Sequence, residues 1–180
     1  MSTTHHPSRL LMREPAVRYI APILRMPPDP AALSREDRLI ERARKVLARR
    51  LMTCKSVFDS TATVRDFLMF ELAEEGREVF YTIFLNSQNG VIAFEPLFVG
   101  TLEKTSVHPR EVVRRSLELG AAAVILAHNH PSGTGEPSQA DRLLTDTLKT
   151  ALALVDVRVL DHFIVAGAAW PTSFAERGML

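Results

Sequence analysis

The chain contains a single cysteine, Cys54, among 180 residues. One thiol excludes an internal disulfide and any zinc site built from several cysteines. It fits the reducing cytoplasm, which is the location we expect. No apolar run is long enough to span a bilayer, and the first residues lack the continuous apolar segment of a secretory signal.

Neither sign of charge is in excess. The 22 basic and 21 acidic side chains leave a formal net charge of +1. This balance gives no overall electrostatic attraction to nucleic acid or to a membrane surface, although local basic patches are still allowed. Hydrophobic residues make up 46% of the chain, which is enough for the core of one domain of ordinary size.

The N-terminal part divides into two predicted segments. Residues 1–30 are rich in proline and polar side chains, so we predict a flexible arm in which His5 and His6 face solvent rather than a metal. Residues 31–62 form a helical segment, in which Ser34 caps a helix to about Met52. Its apolar stripe is Leu39, Ile40, Ala43, Val46, Leu47 and Leu51. The other side carries Arg38, Arg42, Arg44, Lys45, Arg49 and Arg50, either as a solvated face or as a phosphate-binding face.

Helices and strands alternate through the remaining domain, residues 63–180, which indicates an α/β fold. Thr63 and Asp66 begin a helix that Gly76 ends. Asn89-Gly90 is typical of the turn of a β-hairpin, and Pro109 suits the first position of a helix. The predicted elements are helices over 64–75 and 110–119, strands over 78–85, 91–99 and 157–165, and the strand and helix described next.

A buried strand after Gly120 ends in His128-Asn129-His130. Successive side chains of a strand point to opposite faces, so His128 and His130 share one face and Asn129 points away. The chain then turns through a loop rich in proline and glycine and resumes as a helix at Ser138, with Asp141 in its first turn. The strand end and the helix start meet where open α/β folds place their chemistry.

His128, His130 and Asp141 therefore form a candidate metal site. Imidazole and carboxylate groups suit zinc, and three protein ligands leave a fourth position for water, as in catalytic zinc sites. Each half of the pattern has a plainer explanation, because Ser138-x-x-Asp141 resembles a capping box and an isolated H-x-H is a weak signal. The combination is far more specific than either half.

The strings His128-x-His130-Pro131 and Ser138-x-x-Asp141 resemble the H-x-H-P…S-x-x-D core of the JAMM (MPN+) metalloproteases. The fuller string HNHPSG…EPSQAD resembles the RadC branch of that superfamily, and the similarity extends from about Val64 to the C-terminus. Asn129 stands where the eukaryotic enzymes usually carry Ser or Thr. The resemblance implies a cytidine-deaminase-like MPN fold, a mixed sheet flanked by helices, and a Zn²⁺-dependent hydrolase that cleaves a peptide or isopeptide bond.

The resemblance also implies two catalytic residues. The general base of JAMM proteins is a glutamate near the start of an earlier strand, a place that Glu78 occupies here. Glu74, Glu75 and Glu95 are alternatives. Ser138 matches the family serine that stabilises the oxyanion, provided that its hydroxyl is not fully used in capping. Asp161-His162 is shared with RadC-like sequences, and we expect packing or a hydrogen bond to a ligand histidine rather than direct ligation.

A second hypothesis is an accessory module of DNA repair or of mobile elements, which binds DNA or protein partners. Full-length RadC proteins usually carry a helix-hairpin-helix module upstream, but its glycine-containing hairpin is not present here. A deaminase is disfavoured because its H-x-E…P-C-x-x-C signature needs cysteines that the chain lacks. The string His-Asn-His does not indicate an HNH nuclease, whose named residues are dispersed over a ββα motif.

Overall fold

The computed structural model describes residues 34–53, 61–100 and 107–180. The predicted arm over 1–30 and Cys54 lie outside these ranges. The elements in chain order are α1 (Arg35–Thr53), α2 (Thr61–Leu72), β1 (Val79–Leu85), β2 (Val91–Val99), α3 (Pro109–Glu118), β3 (Ala123–Asn129), α4 (Gln139–Ala153), β4 (Arg158–Val165) and β5 (Thr172–Ser173). No helix in these ranges is both long enough and apolar enough to cross a membrane.

The five strands form one mixed sheet in the order β2-β1-β3-β4-β5. β1 pairs antiparallel with both β2 and β3, whereas β3 and β4 are parallel and α4 connects them. The carboxyl ends of β3 and β4 therefore lie at the same edge of the sheet as the amino end of β1. This edge is where the predicted site residues should meet.

Both faces of the sheet are covered, which explains why the central strands β1 and β3 are buried along their whole length. Tyr81, Ile83 and Ile125 pack with the apolar residues of α1 and α2 on one face. Phe84 and Leu126 pack with those of α3 and α4 on the other. The structure confirms the expected mixed sheet flanked by helices.

The N-terminal helix confirms the predicted start and corrects the predicted faces. Ser34 Oγ accepts a hydrogen bond from Asp37 N at 3.0 Å, and Ser34 N donates to Asp37 Oδ2 at 3.1 Å, which is a capping box. Leu39, expected in the apolar stripe, is 67% exposed, whereas Arg44, expected on the basic face, is buried. Packing of α1 against α2 selects a stripe slightly rotated from the one that periodicity indicates.

Two further boundaries differ from the sequence prediction. α2 begins at Thr61 rather than Val64 and ends at Leu72 rather than near Glu75. The two-residue strand β5 was not predicted, because it is too short to show any alternation and exists only through its pairing with β4. The hairpin strand β2 over Val91–Val99 is as predicted, and α3 (Pro109–Glu118) lies one residue earlier than the helix predicted over 110–119.

Candidate metal centre

β3 and α4 bring three ligand groups together. His128 is fully buried near the end of β3, and His130 follows the strand, with its backbone amide donating to Val165 O of β4 at 2.9 Å. The chain then reverses through a loop in which Gly133 has a φ of +77°, a conformation that favours glycine. Asp141 follows in the first turn of α4, so its carboxylate lies beside both imidazoles.

The three groups converge on one point. His128 Nε2 lies 2.9 Å from His130 Nε2 and 3.2 Å from Asp141 Oδ1, and His130 Nε2 lies 3.5 Å from Asp141 Oδ2. Ligand atoms about 2.0–2.1 Å from a tetrahedral zinc ion are roughly 3.3 Å apart, which is close to the separations of His128 Nε2 from His130 Nε2 and from Asp141 Oδ1. His128, His130 and Asp141 thus form a group that could hold a metal ion.

The ring nitrogens are oriented by fixed hydrogen-bond partners. His130 Nδ1 lies 2.7 Å from the main-chain carbonyl oxygen of Thr134. A carbonyl oxygen can only accept, so Nδ1 carries the hydrogen. His130 Nε2 is therefore the nitrogen that faces Asp141, and in the neutral ring its lone pair can bind a metal.

His128 is oriented through a longer relay. Thr145 Oγ1 donates its one hydrogen to Asp141 O at 2.6 Å, so it accepts from His162 Nδ1 at 2.7 Å. His162 Nε2 then accepts from His128 Nδ1 at 2.8 Å, which leaves the lone pair of His128 Nε2 directed at the site. The expected hydrogen bond between His162 and a candidate ligand histidine is present. Outer partners of this kind fix the tautomer and orientation of ligating histidines.

The relay leads to a prediction for Thr145. Thr145→Val preserves the buried shape but removes the hydroxyl, so metal affinity should fall about tenfold to a hundredfold. Titration of the purified variant with zinc against a chromogenic chelator measures this. Thr145→Ser should retain the affinity because it keeps the hydroxyl.

Thr147→Val is the matched control for Thr145→Val. Thr147 Oγ1 also donates to the carbonyl oxygen four residues earlier on α4, Leu143 O at 2.7 Å, but the side chain is exposed. Removal of the Thr147 hydroxyl should leave metal affinity unchanged. A folded Thr145→Val protein with wild-type affinity would contradict the relay.

The charges of the site favour a cation. Burial raises the pKa of the Asp141 carboxyl, but hydrogen bonds with His128, His130 and Ser138 outweigh this and hold it well below its usual range. The hydrogen bond with Asp141 raises the pKa of His130. Burial lowers the pKa of His162 well below its usual value, which agrees with the neutral ring that the relay requires.

Ser138 forms the capping box of α4. Its Oγ accepts from Asp141 N at 3.1 Å and donates to Asp141 Oδ2 at 2.6 Å, while its backbone amide donates to the same Oδ2 at 2.7 Å. The cap therefore orients the ligand carboxylate and engages one of its two oxygens. Oδ1 is the oxygen closest to His128, which makes it the better placed of the two to bind a metal.

Glu78 immediately precedes β1, on the edge that holds the ligands. Phe80 pairs with His128, and alternation puts Glu78 on the same face as Phe80. The negative charge of Glu78 contributes to the raised pKa of His130. Glu78 thus lies on the face and edge of the sheet that hold the ligand cluster, and its role as base stays a prediction.

The alternative Glu95 has another role. It is buried on β2, and Arg115 of α3 donates to both its carboxylate oxygens, from Nε at 2.7 Å and from Nη2 at 2.5 Å. This pairing raises the pKa of Arg115 and holds the carboxylate in a bidentate ion pair. Glu95 therefore joins β2 to α3 and lies outside the ligand cluster.

Residues 58–179 match the family model of the RadC-like JAB domain. The chain belongs to the RadC-like JAB domain family. Its mixed sheet and flanking helices are the architecture of a JAB/MPN domain. The resemblance to the RadC branch is confirmed.

Curated relatives support the same family. The chain is 56% identical over 151 residues to a UPF0758 protein of Leptothrix cholodnii, an alignment that covers 84% of this chain and 67% of the relative. It is 58% identical over 142 residues to a UPF0758 protein of Thiobacillus denitrificans, covering 79% and 62%. The chain spans about two thirds of the length of these relatives, and their names state no activity.

Two groups around this RadC-like JAB site were not found from the sequence. The Thr145–His162 contact joins α4 to β4, and neither residue type nor spacing indicates it. Asp161 was grouped with His162, but its carboxylate instead accepts from Ser173 Oγ at 2.6 Å and from Ala175 N at 3.0 Å, which anchors the C-terminal segment to β4. Neighbouring side chains of a strand point to opposite faces, so alternation along β4 could have predicted that Asp161 and His162 have different roles.

Proposed function

We propose that this RadC-like JAB domain is a zinc-dependent hydrolase that cleaves a peptide or isopeptide bond. The observation that carries the proposal is the cluster of two imidazoles and one carboxylate, whose ligand atoms all lie within 4.8 Å of one another. Neutral imidazole and carboxylate are the ligands of catalytic zinc sites, in which three protein ligands leave one position open. When bound, zinc supplies a Lewis acid that polarises a carbonyl group and lowers the pKa of a water molecule.

The protein groups supply the rest of the reaction. Glu78 accepts the proton of the attacking water at its carboxylate and returns it to the leaving amine. Its place on the face of the sheet that holds the ligands supports this role. The relay through His162 keeps His128 in the tautomer that binds a cation, so the ligand set is already oriented before substrate arrives.

Ser138 is the proposed donor to the oxyanion that forms at the substrate carbonyl. Its hydroxyl hydrogen points to Asp141 Oδ2, but rotation about the Cβ–Oγ bond can redirect it while Oγ still accepts from Asp141 N. The backbone amide of Ser138 continues to hold Oδ2. The cap and the oxyanion role are therefore compatible in one residue.

Ser138→Ala should lose about a hundredfold or more in turnover at unchanged metal content, because it removes an oxyanion donor. Loss of the cap should also cost roughly 1 kcal/mol of stability. Ser138→Asp, itself a good cap, should restore the stability but not the activity, since it places a negative charge beside the developing oxyanion. Thermal unfolding and turnover of both variants test this, and an active Ser138→Asp enzyme would leave Ser138 a purely structural role.

The experiment that tests the function joins metal analysis to cleavage. The purified protein is analysed for zinc and incubated with a peptide library and with isopeptide-linked conjugates, and products are identified by mass spectrometry. Glu78→Gln is the control, because contaminating proteases would act equally in both samples. Cleavage by the wild-type protein alone supports the proposal, and equal cleavage by both proteins contradicts it.

One observation favours a second candidate, a module that binds DNA. α1 carries a row of exposed basic side chains, Arg35, Arg38, Arg42, Lys45, Arg49 and Arg50. A phosphate-binding face predicts an affinity that falls steeply with salt concentration. The near-zero net charge of the chain opposes this candidate, so we rank it second.

A further inference from the structure

The side chain of Asn129 lies between the two ligand histidines in sequence but on the opposite face of β3. It is 2% exposed, and its amide makes three hydrogen bonds. Oδ1 accepts from Val79 N at 2.8 Å, and Nδ2 donates to Glu75 O at 3.0 Å and to Arg77 O at 2.9 Å. Both hydrogens of the amide are therefore used, and the oxygen holds a backbone donor.

These three partners belong to the short segment that leads from α2 into β1. Glu78 lies inside it, between the carbonyl group of Arg77 and the amide group of Val79 that Asn129 binds. Glu78 O in turn accepts from Gly100 N at 2.8 Å. The main chain is therefore held on both sides of Glu78, by β3 on one side and by the end of β2 on the other.

We propose that Asn129 is a positioning residue, which fixes the carboxylate of Glu78 relative to the metal ligands by clamping the backbone around it. The inference rests on the proposed function, in which Glu78 is the general base. Asn129 stands between the two histidines at the end of β3, so the same short stretch of backbone positions both the base and the ligands. Loss of the clamp frees the segment of Glu78 without touching a ligand.

The chemistry of the clamp explains why asparagine occupies this position. The segment offers two carbonyl oxygens and one amide hydrogen, so its partner needs two donors and one acceptor on a short side chain. Aspartate has the same shape but no donor, and its charge would face two carbonyl oxygens. Serine has one hydrogen to donate and is shorter, so it cannot reproduce all three bonds.

The test compares Asn129→Ala, Asn129→Ser and Asn129→Asp with the wild-type protein in three measurements: zinc content, amide hydrogen exchange at Val79, and turnover. We expect full zinc content, faster exchange at Val79, and about a hundredfold lower turnover for Asn129→Ala, since a displacement near 1 Å can have that effect. Asn129→Ser should be the mildest variant and remains informative if the alanine protein does not fold.

Asn86→Ala is the matched control. Asn86 Oδ1 accepts from Gln88 N and Gly90 N, both at 2.9 Å, and so clamps the hairpin turn at the far end of β1. Its replacement should lower stability through the same kind of lost bonds but leave turnover unchanged. A purely structural role of Asn129 would make the two variants alike in turnover.

A double-mutant comparison decides whether Asn129 acts through Glu78. If it does, Asn129→Ala combined with Glu78→Gln should be no slower than Glu78→Gln alone. If the two substitutions lower turnover independently, so that their effects multiply in the double variant, the inference is overturned. Unchanged hydrogen exchange at Val79, or a loss of zinc in the folded single variants, would also overturn it. If the wild-type protein hydrolyses no substrate, the proposed function fails, and so does the expected effect of Asn129 on turnover. The exchange measurement at Val79 still shows whether Asn129 holds the backbone around Glu78.

Discussion

Replacing His128 and His130 together by alanine should abolish metal binding, from one zinc per chain in the wild-type protein to none. Both Nε2 atoms belong to the converging group, and Asp141 alone would offer a single carboxylate. Asp141→Ala should release the metal as well, since it removes the anionic ligand. Elemental analysis after dialysis against a metal-free buffer measures the occupancy.

His108→Ala is the control for this experiment. His108 is exposed at the start of α3, where its ring lies beside Phe98 and makes no capping hydrogen bond. Its removal should leave one zinc per chain. Zinc should also raise the thermal stability of the wild-type protein, by about 4 kcal/mol at a thousand times the dissociation constant, and not that of the double variant. Full occupancy in the double variant would refute the site.

Glu78→Gln should retain zinc and lose hydrolysis. The amide cannot take up a proton from the attacking water, and general-base catalysis typically contributes about a hundredfold to ten-thousandfold. The substitution nearly preserves the shape of the side chain and leaves the backbone clamp of Asn129 in place. Zinc content and turnover are measured on the same preparation.

Glu95→Gln is the opposing variant. It weakens the bidentate ion pair with Arg115, so it should lower stability while the folded protein keeps its turnover. Thermal unfolding separates this effect from a catalytic one. If Glu78→Gln turns over substrate at the wild-type rate and folded Glu95→Gln does not, the base has been assigned to the wrong residue.

The cluster of candidate ligands could be predicted from the sequence because its arrangement depends on local rules. Alternation along a strand places His128 and His130 on one face, and the helix start that Ser138 caps places Asp141 within reach. The partners that orient these ligands depend on long-range contacts. Thr145 contacts His162 only because α4 packs on β4, and the residue periodicity of neither element predicts this contact.

Asn129 and Arg44 show the same limit in two ways. Alternation predicted that Asn129 points away from the histidines, but the groups it binds lie fifty residues earlier in the chain. Arg44 was expected among exposed arginines and is buried, because its environment depends on how α1 rotates against its neighbours. In both cases the local sequence indicates the face on which a side chain lies, but the residues that it contacts depend on how distant elements pack.

The ligands and the base differ in how far apart they lie along the chain. All three candidate ligands fall within residues 128–141, on β3, the loop that follows it and the first turn of α4. Glu78 reaches them only when β1 pairs with β3 and Asn129 closes on the segment before β1. Contacts between residues close in sequence have a lower loop-closure cost and form earlier in folding than contacts between distant ones. An incompletely folded chain should therefore assemble the candidate metal ligands before the proposed base joins them.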